Sequence, residues 1–186
     1  VGGFVPSPEL LAWARSTFIE DGASLQNPEH EHLQQAKLGF LWTNEPNGRR
    51  GRVILGTCQL LPPTGDKWSI GARVLQLSEW FVGMPDFLIT IFAPAAVEMD
   101  NASFMALVEH ELYHASQKRS AEGEPMFSRE TGEPIWATRA HDVEQFVGVV
   151  RRYGAQAAMV EDMVAAANAG PEIAPARIAF GCGNCL

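Results

Sequence analysis

The run His110-Glu111-Leu112-Tyr113-His114 constrains this chain more than any other stretch. It reads H-E-x-x-H. On a helix, histidines four residues apart lie on one face, so both imidazoles can reach one zinc ion, with the glutamate beside them as general base. The flanks predict that helix: Asp100 or Asn101 can cap it, and Phe104, Leu107, Val108, Leu112 and Ala115 recur at helical spacing. On a helical wheel Glu111 falls in the arc between Leu107 and Phe104, bordered by His110 and His114. A carboxylate aimed at an apolar face is costly unless something satisfies it. Zinc-bound water would satisfy it, whereas an ordinary surface helix would leave Glu111 in solvent. The expected site is therefore His110 and His114 as metal ligands and Glu111 as the catalytic base.

A zinc centre that does chemistry usually has three protein ligands and one open position. The extended pattern H-E-x-x-H-x-x-G-x-x-H is absent, because Gln117 and Ser120 stand where its glycine and third histidine would be. The only later histidine is His141, 27 positions beyond His114. It is expected to begin a helix, Ala140 to Tyr153, with Val143, Phe146, Val147 and Val150 as core stripe and Gly154 as the stop. His141 and Glu144 would share a face of that helix. His141 is the expected third ligand and Glu144 the alternative, with Asp142 and Glu144 as carboxylates that could fix tautomers. Arg139 and Tyr153 are the polar candidates for stabilising a transition state; Tyr113 projects from the opposite side of the helix.

Elsewhere the signals are structural. Ser7-Pro8-Glu9 starts an amphipathic helix ending near Asp21-Gly22, and Asn27 to Leu33 reads as a short helix or turn with His30 and His32 in solvent. Lys37–Thr43 and Arg52–Gln59 flank Glu45-Pro46-Asn47-Gly48 as a hairpin, with Arg49, Arg50 and Arg52 on a solvated turn. Trp68 to Glu79 fits either a strand or irregular structure, and Asp86 to Phe92 is the clearest strand. Gln156 to Asn168 is a last helix. Residues 1–170 are expected to form one domain and 171–186 a tail, unstructured or docked, with reduced thiols in Cys182-x-x-Cys185. A second metal site using Cys58 is the lesser alternative.

Net charge of −8 and the lack of a basic run argue against nucleic acid as partner and give no membrane-surface signal. No stretch approaches 18 uninterrupted apolar residues. Because the chain begins Val1-Gly2-Gly3, the absence of a signal peptide says little about location. The expected class is α+β, a small and mostly antiparallel sheet packed on the zinc helix. Oligomeric state is not legible.

Leu38 to Trp42, Arg49 to Gly56, Glu109 to His114, His141 to Phe146 and Val150 to Gly154 occur in an order that resembles the putative phage metallopeptidase family, over roughly residues 29 to 154. The resemblance implies a compact zincin-like peptidase of phage or prophage origin and supplies no substrate; the expected partner is a peptide or protein substrate and the expected location the cytoplasm of the bacterial host. It also places the peptide-aligning sheet edge at Phe87 to Phe92. The rival expectations are a zinc-stabilised interaction module without catalysis and a zinc amidase acting on cell-wall peptide.

Overall fold

In the computed structural model, which describes residues 3–49, 51–178 and 181–184, the chain opens with a short strand, β1 (Phe4–Pro6). Ser7 then caps α1 (Pro8–Ala14) by accepting from the Leu10 amide at 3.2 Å, and proline at the first helical position suits a residue without an N–H. A π-helical turn, Arg15–Ile19, extends α1 and ends at Glu20, just before the predicted stop near Asp21-Gly22. Its Phe18 and Ile19 are fully buried.

A 3-10 helix, Pro28–Gln34, follows. Neither His30 nor His32, both expected in solvent, is exposed. His30 is 1 % exposed, not in solvent, with its ring edge against Tyr113 at 4.6 Å between centroids. His32 is half-buried, its Nε2 2.9 Å from the Ala115 carbonyl.

The expected long hairpin does not form. β2 (Leu38–Thr43) and β5 (Gly56–Leu60) both pair with β6 (Phe87–Phe92), which inserts between them, parallel to β2 and antiparallel to β5. With β1 antiparallel on β2, the sheet order is β1-β2-β6-β5. Local turn chemistry survives only as a small pair, β3 (Gly48–Arg49) with β4 (Arg52–Val53); Arg50 lies outside the described residues. β6 is therefore central rather than an edge, and the sheet edge near the histidines is β5.

The sheet is covered on both faces, which is why β2 and β6 read as nearly continuous apolar runs. On one face Phe40, Ile89 and Ile91 pack with Phe18, Leu33 and the buried stripe of α4 (Asn101–His114), namely Leu107, Val108 and Leu112. On the other, Leu41 and Leu88 meet Leu77 of α2 (Lys67–Trp80). The segment Trp68–Glu79, expected as strand or irregular structure, is instead helix, capped by Asp66, whose carboxylate accepts from the Trp68 and Ser69 amides at 3.0 and 3.1 Å.

A single turn, α3 (Ala93–Ala96), connects β6 to α4, and Asp100 caps α4 as expected, accepting from the Ser103 amide at 2.8 Å. At Ala115 the backbone turns extended and runs into β7 (Ala115–Gln117), which pairs with β8 (Trp136–Thr138). The turn-rich stretch between them matches expectation. Beyond β8 the chain differs. His141 lies in non-helical chain, and α5 (Val147–Ala157) begins six residues later. Phe146 and Val147, read as core, are 80 % and 72 % exposed. Gly154, at φ 89°, breaks the helix rather than closing it. α6 (Glu161–Ala169) is the last helix. Among the described residues no helix is long and apolar enough to cross a membrane.

Candidate metal centre

α4 places its two histidines one turn apart, with ring centroids 5.1 Å from each other. His141 arrives through strand pairing rather than helix geometry. The β7–β8 register sets Ala115 opposite Thr138, and the ladder continues one residue further: the Arg139 amide donates to the His114 carbonyl at 2.9 Å. The next carbonyl then fixes a ligand. His114 Nδ1 lies 2.7 Å from the Arg139 carbonyl, which can only accept, so Nδ1 carries the proton and Nε2 presents a lone pair. Two residues on, His141 Nε2 reaches 3.1 Å from His110 Nε2.

A fourth donor joins them. Cys182 Sγ lies 3.1 Å from His114 Nε2, and the donor atoms of His110, His114, His141 and Cys182 all fall within 4.8 Å of one another. Glu144, the alternative ligand, is exposed on a neighbouring cavity wall and is not in this group. Cys58 is not in it either, and Cys185 lies outside the described residues. The tautomer-fixing acceptor is the Arg139 carbonyl, while Asp142 instead binds the Arg139 guanidinium at 2.7 Å.

Glu111 is fully buried, and among the described residues neither carboxylate oxygen has a hydrogen-bond partner of standard geometry. Burial pushes its pKa up to about 8, against a smaller opposite pull from the Cys182 thiol. Gly56 makes the room for it, since a Cβ there would stand 2.8 Å from Glu111 Oε1 and 2.9 Å from its Cγ. The histidines move the other way. Burial and the neighbouring imidazoles push His110 down to about 4, and burial lowers His114 against the opposing Arg139 carbonyl. Both shifts favour the neutral imidazole, the form that ligates metal.

These features fit a metal ion. Around a tetrahedral ion with metal–nitrogen bonds of zinc's length, ligand nitrogens sit ~3.3 Å apart, close to the spacing of the His110 and His141 nitrogens. A cation there would also be the charge that returns the orphaned Glu111 carboxyl to its ionised form.

Two cavities flank the cluster, of about 490 Å³ and 360 Å³, sharing His114, Arg139, Ala140, His141 and Val143 as walls. Arg139 sits between them, held by Glu29 at 3.2 Å and by Asp142. Tyr113 lines the smaller cavity; its hydroxyl accepts from Asn27 at 2.8 Å. Tyr153 is 65 % exposed and lines neither.

Sequence reasoning missed Cys182 and Gly56. The available signals were a cysteine set between glycines in Gly181-Cys182-Gly183 and a glycine inside a strand, which marks close approach by another group.

A family model described as Putative phage metallopeptidase matches residues 11–168, a wider span than the blocks of resemblance and one that includes most of α1 and α6. No curated protein and no solved structure matches the chain.

Proposed function

The chain belongs to the putative phage metallopeptidase family, and from that premise we propose that it is a zinc-dependent peptidase. His110, His114 and His141 would hold the ion and Glu111 would act as general base. The observation that carries this is the pairing of converging imidazoles with a fully buried carboxylate whose one close polar neighbour among the described residues is the Cys182 thiol. A purely structural centre needs the histidines but has no use for Glu111.

Zinc bound there would supply Lewis acidity toward the scissile carbonyl and lower the pKa of a bound water. The protein does the rest. The Arg139 carbonyl holds His114 in the tautomer that presents Nε2. Gly56 leaves the space in which the Glu111 carboxylate stands against the backbone of β5. As base, Glu111 takes the proton of the attacking water on a carboxylate oxygen. As the carbon–nitrogen bond breaks, it passes that proton to the leaving amine. β5 is the terminal strand of the sheet, so an extended substrate would add along it by main-chain hydrogen bonds, with side chains reaching the flanking cavities.

Glu111→Gln keeps the shape and removes the base. Peptide hydrolysis should fall on the order of 10²–10⁴-fold, with zinc content near that of the parent. Hydrolysis undiminished by this change would mean that Glu111 is not the base.

A further inference from the structure

The segment Gly181–Asn184 already lies along β5 as a bound peptide would. The Leu55 and Gly56 amides donate to the Gly181 carbonyl at 2.6 and 3.2 Å, and the Gly183 amide donates to the Gly56 carbonyl at 2.8 Å. Asn184 then grips the main chain of Cys58 twice: Oδ1 accepts from its N–H at 3.0 Å and Nδ2 donates to its carbonyl at 2.5 Å. Glycine is required on both sides of the cysteine. A Cβ at Gly181 would meet the Leu55 side chain at 2.6 Å, and one at Gly183 would collide with the Thr57 methyl. The two glycines press the backbone onto the strand, and the side chain between them, Cys182, reaches the imidazoles. Its Sγ lies 3.1 Å from His114 Nε2 and accepts from the Asn184 main-chain amide at 3.3 Å.

We propose that Cys182 is the fourth ligand of the metal centre and that Gly181–Asn184 is a built-in occupant of the substrate edge of β5, so that the chain as folded is held closed. This rests on the metal-centre reading above. Three imidazole nitrogens and one thiolate make a closed tetrahedral set, whereas a catalytic centre keeps a position for water. On closing, the Cys182 thiol would give its proton to solvent and its sulfur would take the position otherwise left to water; on opening, the thiol would be reprotonated. No oxidant or reductant is needed. Gly56 joins the two functions, because its backbone carries the Cys182 segment while its Cα faces the Glu111 carboxylate. A centre meant to stay shut would have no role for that buried carboxylate, so the closure is one that opens.

The test uses the full chain loaded with Co²⁺, read by absorption. The expected result is a thiolate-to-cobalt charge-transfer band that disappears in Cys182→Ala while cobalt remains bound. An added hydroxamate should then shift the visible cobalt bands of the variant but not of the parent. Asn184→Ala keeps the thiol and removes both bonds to Cys58; it should weaken the band and gain part of the hydroxamate response. Cobalt bound without the band, or a band surviving Cys182→Ala, overturns the assignment. Loss of cobalt from Cys182→Ala, with Asn184→Ala unresponsive to hydroxamate, shows a permanent structural ligand and overturns the strap. A parent chain that binds no cobalt at all contradicts the metal centre itself, an outcome distinct from a failure of the strap alone.

Discussion

Glu111 depends on a residue with no side chain. Because a Cβ at Gly56 would overlap both the carboxylate and the Cγ of Glu111, Gly56→Ala must push that side chain aside or shift β5. The expected outcome is loss of most peptide hydrolysis with zinc content retained, since the atoms an added Cβ would meet first belong to Glu111 and not to an imidazole. Kinetics and elemental analysis on the same preparation check it, and unchanged kcat would show that the close packing is not needed. At the third ligand, His141→Ala should weaken zinc binding severely. Glu144→Ala should cost no more than about 10–100-fold in affinity or activity, the range for a group outside the ligand set. Metal titration of both variants decides the order, and the reverse order would make the glutamate the ligand.

At the scale of elements, what could be read in advance followed the range over which each signal acts. His110, Glu111 and His114 lie within one turn and a half of α4, so helical periodicity alone puts two ligands and the base together. His141 could be named but not placed. It reaches the site through the β7–β8 ladder, not on a helix, and Ala140–Phe146 stays non-helical with Phe146 exposed. The expected hairpin failed for the same reason, because β6 arrives from later in the chain and takes the pairing that local turn chemistry assigned to β2 and β5. α2 does not read as a helix in the sequence because it touches the core mainly through Leu77 while Trp68 and Leu75 stay exposed, which leaves a weak apolar stripe. His30 was placed in solvent because a short polar run hides that the 3-10 helix packs against Tyr113. α4 remains the element most sensitive to change. Leu112 is fully buried between the two histidines, so Leu112→Ala should cost about 2–5 kcal/mol of stability, measurable by chemical denaturation of metal-free protein; a loss below about 1 kcal/mol would contradict its place in the core.

For the whole molecule, the centre links parts of the chain that are otherwise far apart. α4, the segment after β8 and the segment at Gly181–Asn184 meet at one set of donor atoms. A metal held there binds only the folded chain, so it should stabilise it by about 2.7 kcal/mol at a free-metal concentration a hundredfold above Kd. For a chain of this size that is on the order of 5–10 °C in Tm, which should be lost on chelation and regained on adding zinc. The most direct measurement of the central claim is the metal content of protein purified without chelator. The account predicts about one zinc per chain in the parent and in Glu111→Gln, and almost none in His114→Ala. A parent that neither carries zinc nor takes it up, or a His114→Ala variant that keeps it in full, would contradict the account.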